Sequence, residues 1–350
     1  MRLNFLRELF FGENGASNRR MSTKYQFNKK KGKQMHVNNG TANGCGASHT
    51  ITPGPFRFHG TFTALITPFT NSGEIDSESF QKQIERQIVG GVDGIVPCGT
   101  TGESPTLSFE EHIQVIDLAV KFADGRVRVL AGTGGNSTDE AIYLTEEAER
   151  VGADGSLQVT PYYNKPSQAG LFAHFSAIAR KTALPIILYN VPSRCGVDIA
   201  ADTVCRIIRE NKNVVGIKVA NGSLSYVREL RERCGPFFTI LSGDDALTLK
   251  FITSGKANGI VSVVSNIFPD TVATLVRRAR AGDVAGATPI HEELLPLIEA
   301  IFLEGNPVGV KSAMEQIGLD GGAVRLPLVE VCSQTAAAIR KALNGGLIHA

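Results

Sequence analysis

From Phe62 onward, short apolar runs rich in β-branched residues alternate along the chain with longer amphipathic stretches. The short runs have the length and composition of buried β-strands. We predict eight of them: Thr63–Thr67, Gly94–Cys98, Val127–Thr133, Ser156–Thr160, Pro185–Asn190, Val214–Val219, Phe238–Ser242 and Gly259–Val264. The longer stretches place apolar residues at helical spacing, as in Ser77–Val89, Ser108–Phe122, Thr138–Val151 and Ala169–Thr182. Strands that alternate with helices predict a parallel sheet.

Eight strand–helix units are the number that closes a parallel sheet into a (β/α)8 TIM barrel, and we predict this α/β fold over residues 57–281. A doubly wound open sheet is the alternative, but no G-x-G-x-x-G motif follows the first strand. Four further helical patterns follow the eighth strand: Asp270–Ala281, Ala285–Leu303, Val308–Ile317 and Leu328–Leu343. The first completes the barrel, and the others predict a C-terminal helical appendage over residues 282–350.

Local signals agree with this division of the chain. Ser108, with Glu111 three residues later, resembles the capping box that begins many helices. Residues 1–56 are rich in Asn, Gly, Ser and Lys and lack a sustained periodic apolar pattern, so we predict a disordered basic leader. The leader carries nine Lys/Arg and two Asp/Glu, a net charge of +7, whereas the whole chain carries +2. The remainder therefore carries −5, which argues against a nucleic-acid partner.

Composition restricts the location of the protein as well. No apolar run approaches the roughly 18 residues that a membrane-spanning helix needs, so we expect no membrane partner. The six cysteines form no C-x-x-C pair and show no regular spacing. We interpret them as reduced thiols of a cytoplasmic protein and not as a disulfide framework or a zinc site.

Three predicted strands end in residues that carry chemistry. Lys218 closes the apolar run at 214–218 (VVGIK), Thr100 and Thr101 lie just after the second strand, and Tyr189 lies at the end of the fifth. In a parallel barrel the C-terminal strand ends share one face, where catalytic groups collect. Burial would lower the pKa of Lys218 from about 10.4 and free its lone pair for attack on a carbonyl carbon. The run alone also fits a lysine that caps a strand and extends into solvent.

The neighbouring motifs each allow a functional and a structural interpretation. The turn at 99–103 (GTTGE) provides two hydroxyls and backbone N–H groups that could bind a small carboxylate, or it could be an ordinary turn with a Thr cap. Tyr189 could relay protons near an imine or be a core tyrosine. Arg194 could clamp a carboxylate or lie on the surface. Tyr162 and Tyr163 could reach the site or pack at a subunit interface.

The remaining sequence gives no indication of a metal or a cofactor. The seven histidines lack ligand spacing, and there is no H-E-x-x-H motif, no Ser/His/Asp arrangement and no P-loop. We therefore predict a site without metal in which a lysine amine supplies the chemistry.

Taken together, the motifs resemble those of the dihydrodipicolinate synthases, a family of the N-acetylneuraminate lyase superfamily of Schiff-base aldolases. The resemblance extends from about Phe62 to Leu343. It rests on these segments: GTTGE at 99–103, AGTGGN at 131–136, TPYYNKPSQAG at 160–170, LYNVPSR at 188–194, GIK at 216–218, LSGDD at 241–245 and GNP at 305–307. It implies a TIM barrel that condenses pyruvate with aspartate semialdehyde without a cofactor.

The resemblance also implies roles for residues at matching positions. Lys218 would form a Schiff base with pyruvate, and Thr100 and Thr101 would hold the pyruvate carboxylate. Tyr189, Thr100 and Tyr163 would form a proton relay, in which Tyr163 reaches in from a neighbouring subunit. A homo-oligomer follows from this last role, and the resemblance favours a tetramer built as a dimer of dimers.

Further positions concern the second substrate. Arg194 would receive the carboxylate of aspartate semialdehyde, Val261 would lend a backbone carbonyl to the site, and Gly243 would line it. Two residues depart from the family pattern: Val219 follows the lysine where relatives usually carry Glu or Asp, and Gly309 replaces a common Pro. Neither change removes a reacting group. Relatives share the lysine and differ in the aldehyde, so another pyruvate-dependent aldolase is an alternative, and a keto-acid sensor without turnover is a remote one.

The resemblance finally implies a regulatory site for L-lysine, the end product of the pathway, at a subunit interface. The matching positions are Ser104, His112, Asn136, Glu140 and Tyr162. Glu140 can pair with an ammonium group, and Asn136 and Tyr162 can bind polar ends of the effector. Phe109 stands where regulated relatives often have His, which removes one polar contact. We therefore expect weak inhibition by lysine.

Overall fold

The structure, a computed structural model, describes residues 58–345, so the predicted leader and the last five residues of the predicted appendage lie outside it. Eight strands are present within this range. Their bounds are β1 Gly60–Ala64, β2 Gly94–Val96, β3 Arg128–Gly132, β4 Gly155–Val159, β5 Ile186–Asn190, β6 Val214–Val219, β7 Thr239–Ser242 and β8 Gly259–Ser262.

Each strand pairs in parallel with the next, and β8 pairs with β1, so the sheet closes into a barrel. The predicted TIM barrel is confirmed, and the open sheet is excluded. The prediction for β1 was displaced, because the strand ends at Ala64 and residues 65–67 form the following loop. These loop residues are as buried as the strand itself, so the apolar pattern does not mark where the strand ends.

Helices surround the barrel and continue after it. Their bounds are α1 Ser77–Val89, α2 Phe109–Ala123, α3 Thr138–Val151, α4 Gln168–Ala179, α5 Pro192–Cys195, α6 Ala201–Glu210, α7 Leu224–Cys234, α8 Thr248–Gly255, α9 Pro269–Arg280, α10 Val284–Ile301, α11 Val308–Gln316 and α12 Ser333–Leu343. The predicted bounds of α1 and α3 are confirmed. The capping box before α2 is also confirmed, because Ser108 and Glu111 each bind the other's backbone N–H.

One predicted helix is shorter than its pattern. We expected the last helix to begin at Leu328, but α12 begins at Ser333. The backbone N–H of Cys332 donates to Glu304 Oε1 at 3.0 Å, and that of Leu328 donates to the carbonyl of Arg325 at 3.0 Å. The first bond attaches the start of α12 to the segment after α10, the second closes a turn at 325–328, and residues 328–332 between them are not helical.

The core has an inner and an outer layer. Inside the barrel, residues such as Phe62, Leu130 and Ile187 are almost fully buried. The outer layer lies between the strands and the helices and continues without a break into α10–α12. Burial of one such side chain contributes about 1.5–3 kcal/mol. The C-terminal helices are therefore packed on the barrel, close to the open ends of its strands. None of the helices in the described range is long and apolar enough to cross a membrane.

The pairing of β5 with β6 contains one irregularity. Ile186 pairs with Val214 but Ile187 pairs with Gly216, so β6 carries one extra residue, a β-bulge. Beyond the bulge, Lys218 lies directly beside Tyr189.

Candidate active site

The C-terminal strand ends surround two neighbouring cavities. The larger has a volume of about 420 Å³, and the predicted site residues that line it are Thr100, Thr101, Tyr189, Arg194, Lys218 and Gly243. The smaller has a volume of about 220 Å³ and shares Thr100, Tyr189 and Arg194 with the larger one. Six residues from four βα units therefore meet at one face of the barrel, as the strand-end pattern predicts.

Lys218 lies at the floor of the larger cavity with 6% of its surface exposed. Its Nζ is 4.2 Å from the centre of the Tyr189 ring, and no carboxylate of residues 58–345 forms an ion pair with it. Burial lowers the pKa of Lys218 to about 7; the nearby Asp245 opposes this shift, and Arg194 adds to it. A large fraction of the amine is therefore neutral near pH 7, as a nucleophile requires.

Asp245 is a site residue that our sequence reasoning did not single out. It is buried, and its carboxylate accepts hydrogen bonds from Ser262 Oγ at 2.6 Å and from the backbone N–H of Val263 at 2.9 Å. Burial raises the pKa of Asp245 to about 6, although both hydrogen bonds favour the charged form. Above that pH its negative charge partly offsets the desolvation of Lys218. The available signal was the second Asp of the LSGDD motif.

Gly243 makes room for the lysine. A Cβ atom added at this position would lie 2.9 Å from Lys218 Cε and 2.9 Å from Ala220 Cβ. Both distances are shorter than side chains tolerate, so a larger residue would displace the Lys218 side chain, Ala220 or both. The glycine therefore leaves room for the path of the Lys218 side chain.

Tyr189 and Thr100 line the larger cavity together with the lysine, and Tyr189 is 7% exposed. Burial raises the pKa of Tyr189 to about 12, although Arg194 and the neighbouring side chain of Thr100 act in the opposite direction. The phenol keeps its proton at neutral pH and can donate it to a developing negative charge.

A second residue that we missed connects the turn at 99–103 to Arg194. Asn306, between α10 and α11, donates from Nδ2 to Thr101 Oγ1 at 2.9 Å. Its backbone carbonyl accepts a longer contact from Arg194 Nη2 at 3.5 Å. Asn306 lines the larger cavity, so the C-terminal helical region supplies part of the site wall. The GNP motif contained this residue without indicating its contacts.

The sequence profile described as the dihydrodipicolinate synthetase family matches residues 57–345 of the chain. The chain belongs to this family. The match includes all eight strands, the twelve helices and every residue that lines the two cavities.

Individual members of the dihydrodipicolinate synthetase family are closely similar. The 4-hydroxy-tetrahydrodipicolinate synthase of Endomicrobium trichonymphae is 47% identical over 287 residues, which cover 82% of this chain and 98% of that protein. The solved structure of the same enzyme from Methylacidiphilum fumariolicum SolV has 53% identity and a TM-score of 0.80, and the match covers 82% of this chain and 95% of that one. A structure of the synthase from Cyanidioschyzon merolae with lysine bound has 37% identity and a TM-score of 0.80, with coverage of 82% and 98%.

Two residues that the family resemblance places in the site lie apart from both cavities. Tyr163 has a left-handed backbone (φ 70°) and is 90% exposed, so its phenol points away from the barrel of its own chain. Val261 is buried in β8 among the side chains that fill the barrel.

The five residues predicted for lysine regulation are only partly brought together. Ser104 and Tyr162 line the smaller cavity. Glu140 is exposed at the start of α3 and, together with burial, raises the pKa of Tyr162. The backbone carbonyl of Asn136 accepts from Asn164 Nδ2 at 2.8 Å.

His112 differs from the other four residues. It is buried on α2, and its Nε2 contacts the carbonyl of Gly132 at 2.7 Å. Burial lowers its pKa, so the ring is neutral. This contact ties α2 to β3, which is a structural role.

Residues 58–345 contain no group of three or more His, Cys, Asp or Glu side chains arranged to hold a metal ion. The chemistry that the cavity can support comes from an amine, a phenol, hydroxyls and a guanidinium.

Proposed function

We propose that the chain is a 4-hydroxy-tetrahydrodipicolinate synthase, a lyase that condenses pyruvate with L-aspartate 4-semialdehyde in the route to diaminopimelate and lysine. The single observation that carries the proposal is the buried amine of Lys218, with a pKa of about 7, beside Tyr189 and Thr100 in one cavity. Membership of the family and the names of its relatives support this activity over the other pyruvate aldolases.

The first step is formation of the Schiff base. The neutral amine of Lys218 adds to the keto carbon of pyruvate, and loss of water gives an imine. The turn around Thr100 and Thr101 receives the carboxylate, since it offers hydroxyls and backbone N–H groups next to the cavity. The protonated imine nitrogen withdraws electrons, so the methyl group loses a proton and becomes an enamine carbon nucleophile.

Protons move through Tyr189, whose phenol lines the cavity together with the hydroxyl of Thr100. Tyr163 completes the relay from a neighbouring subunit. Its 90% exposure in the isolated chain supports this, because an apolar ring that protrudes into water is better placed against a second chain. We accordingly propose a homotetramer built as a dimer of dimers.

Carbon–carbon bond formation and release follow. Arg194, at the rim of the cavity, binds the carboxylate of the semialdehyde, and the enamine carbon attacks its aldehyde carbon. The semialdehyde amine then adds to the imine carbon, the bond from that carbon to Lys218 Nζ breaks, and the ring closes. Gly243 lines the cavity, and the backbone carbonyl of Val261 is the contribution that the family resemblance adds from β8. Lysine itself acts as the electron sink, so the cycle uses no cofactor.

A coupled assay tests the proposal against its nearest alternative. Turnover with pyruvate should be fastest with aspartate semialdehyde, and N-acetylmannosamine and glyceraldehyde should not compete as substrates. Faster turnover with either competitor would identify another aldolase of the superfamily. A protein that binds pyruvate but turns over none of the three aldehydes would be a sensor.

We also propose that L-lysine inhibits the enzyme from a subunit interface that includes Ser104, Tyr162 and Glu140. Ser104 and Tyr162 line the smaller cavity, and Glu140 lies near enough to Tyr162 to influence its pKa. Glu140 would pair with an ammonium group of lysine, and Asn136 would bind a polar end. His112 would act indirectly by fixing α2, and Phe109, which packs edge-on against Tyr143, makes the inhibition weak.

Titration of L-lysine into the synthase assay tests the regulatory site. The rate should fall at millimolar lysine, and Glu140→Ala should require more lysine for the same effect. Glu146→Ala, an exposed change on the same helix, should behave as the parent. An unchanged rate, or equal inhibition of Glu140→Ala and the parent, would contradict the assignment.

The domain division and location are further proposals. We divide the chain into a leader (1–56), the barrel (57–281) and the C-terminal helical region (282–350), and place it in the cytoplasm, consistent with its free cysteines in the described range. A chain that begins at Pro55 should keep its melting temperature and activity. A large loss of either would show that the leader belongs to the fold.

A further inference from the structure

The turn that carries Thr100 and Thr101 ends in a strained and buried residue. Glu103 has a φ of 55°, in the left-handed region that non-glycine residues seldom adopt, and its side chain is fully buried. Such a conformation persists only where the surroundings hold it in place. The contacts of Glu103 therefore indicate what fixes the turn.

The carboxylate of Glu103 is held by two groups from the C-terminal helical region. Its Oε1 lies 2.6 Å from Lys311 Nζ on α11, and its Oε2 accepts from the backbone N–H of Arg325 at 3.1 Å. Lys311 is 3% exposed, also donates to the carbonyl of Ala323 at 2.7 Å, and lies 4.7 Å from the ring centre of Phe69. Burial lowers the pKa of Lys311, and the charge of Glu103 opposes the change.

Arg325 is itself firmly anchored. Its guanidinium donates to both carboxylate oxygens of Glu111 on α2, at 2.6 and 2.7 Å, and to the carbonyl of Gly73. It also stacks 4.1 Å from the ring centre of Phe69. The groups that hold Glu103 are thus attached both to the barrel and to the appendage, so they do not move freely with the turn.

Hydrogen bonds and close packing within the turn couple the position of Glu103 to the positions of Thr100 and Thr101. The backbone N–H of Glu103 donates to the carbonyl of Thr100 at 3.2 Å, and Thr67 Oγ1 donates to the carbonyl of Gly102 at 2.8 Å. A Cβ at Gly102 would meet the backbone of Cys98 at 3.0 Å, so the turn is packed closely against β2. A shift of residue 103 therefore displaces the hydroxyl of Thr100 or that of its neighbour Thr101.

We propose that Glu103 and Lys311 are positioning residues that set the geometry of the carboxylate-binding turn, and thereby the affinity for pyruvate. This inference rests on the proposed function, which assigns the pyruvate carboxylate to Thr100 and Thr101. A buried ion pair seldom contributes more stability than apolar side chains of the same volume. The contacts of Glu103 instead fix the orientation of its carboxylate, because each carboxylate oxygen has a partner, and this holds the end of the turn in place.

Three variants test the proposal. Glu103→Asp keeps the charge but withdraws the carboxylate by one methylene, and it should raise the KM for pyruvate about tenfold while kcat changes less than about twofold. Lys311→Met should raise this KM at least as much. The double variant Glu103→Gln with Lys311→Met leaves no buried charge unpaired, so its melting temperature should recover while its KM stays high.

A control variant at the other end of the barrel separates an effect on the geometry of the turn from an effect on the stability of the fold. Asp154 pairs with Arg128 at 2.6 Å and accepts from the backbone N–H of Val129, both where β3 begins. Asp154→Asn should lower the melting temperature and leave the KM for pyruvate unchanged. If Lys311→Met behaves in the same way, or if the double variant regains both stability and KM, the pair is only structural and the proposal is wrong.

Reductive trapping distinguishes this failure from a failure of the proposed function. Pyruvate and borohydride should modify Lys218 in the parent, and Glu103→Asp should need about tenfold more pyruvate for half-maximal trapping. No adduct on Lys218 in the parent would overturn the proposed function. An adduct in the parent with the same pyruvate dependence in Glu103→Asp would overturn the positioning role alone.

Discussion

Two lysines, one at the mouth of the barrel and one in the C-terminal helical region, are almost equally buried but have opposite surroundings. Lys218 is 6% exposed and Lys311 is 3% exposed, and burial lowers the pKa of both. Each Nζ lies over an aromatic ring, at 4.2 Å for Tyr189 and 4.7 Å for Phe69. Only Lys311 has a carboxylate in contact, at 2.6 Å.

The difference shows what makes a buried lysine reactive. Desolvation destabilises the ammonium form in both places, but a carboxylate in contact restores it. Lys311 therefore remains a cation that holds Glu103, whereas Lys218 has only the more distant Asp245 to favour its proton. Burial is common to both lysines, and the absence of a paired carboxylate within the described residues distinguishes Lys218, the proposed nucleophile.

The largest expected effect concerns catalysis at Lys218. Lys218→Met should abolish borohydride trapping of pyruvate and lower kcat by at least about a thousandfold, because no other group can form the imine. Peptide mapping of the trapped parent checks the position of the adduct. Lys250→Met, an exposed lysine on α8, should be trapped as the parent is. An adduct on Lys311 would refute the distinction between the two lysines.

Stability should respond in opposite directions at the two sites. Lys311→Met should destabilise the fold by about 3–5 kcal/mol, since it leaves the carboxylate of Glu103 buried without its partner. Lys218→Met should stabilise it by on the order of a few kcal/mol at pH 7, since it removes an amine whose charged form is poorly solvated. Chemical denaturation of both variants measures the two values, and destabilisation by both changes would contradict the comparison.

The stability gained by Lys218→Met should also depend on pH. The pKa of this amine is about 7 in the folded chain and near 10.5 in the unfolded chain. Below pH 7 both states bind the proton and the burial penalty is complete; between pH 7 and 10.5 the folded state has lost its proton while the unfolded state still binds one, so the penalty falls steadily and is gone above 10.5. The stability difference between variant and parent should therefore shrink across this window. Denaturation curves at several pH values would reveal a constant difference if the lysine were not desolvated.

A smaller effect is expected from Arg194. Arg194→Ala should reduce kcat/KM for aspartate semialdehyde about ten- to a hundredfold, the loss of a charge-assisted contact worth about 1.5–3 kcal/mol. Trapping of pyruvate on Lys218 should change much less, because Arg194 lies at the rim of the cavity. Arg206→Ala, which removes an arginine stacked on Phe172 away from the cavities, provides the control. Equal losses in both assays would show that Arg194 has a structural role.

The smallest effects are two opposite shifts of the acidic limb of the pH–rate profile. The activity of the parent should rise as pH passes through about 7, where Lys218 loses its proton. Asp245 raises this pKa, so Asp245→Asn should move the limb to lower pH; Arg194 lowers it, so Arg194→Ala should move the limb to higher pH. Profiles of kcat/KM for pyruvate measure both, and shifts in the same direction would show that neither charge acts on Lys218.

The sequence predicted those features of the barrel that local patterns determine. The bounds of α1 and α3 follow from apolar periodicity and capping residues, and Lys218 was visible because a charged residue closes an apolar strand. Lys311 has the same kind of signal, a lysine between Val310 and the apolar turn that follows it in α11, but we did not interpret it. The helix α5 has only four residues, Pro192–Cys195, and is too short to give a period.

Contacts between segments that are far apart in the sequence leave no local pattern of this kind. Thr101 and Asn306 are 205 positions apart, and the carboxylate of Glu103 meets the backbone of Arg325 across 222 positions. The motifs that contain these residues marked them as unusual, but their partners depend on how the appendage packs on the barrel. The path of Lys218 past Gly243 likewise depends on the closed sheet. The six predicted residues that line the larger cavity could thus be picked out individually, and their supporting contacts could not.

The bulge in β6 makes the activity depend on chain length as well as on composition. Side chains of a strand alternate between its two faces, so one residue more or less before a given position reverses the face on which it lies. Val214 and Ile217 both belong to the outer core although they are three positions apart, because Val215 is extra. Deletion of that single codon would therefore remove the bulge and keep the lysine beside Tyr189, whereas one additional codon between Gly216 and Lys218 would keep every reactive side chain in the gene and yet turn the lysine toward the surrounding helices.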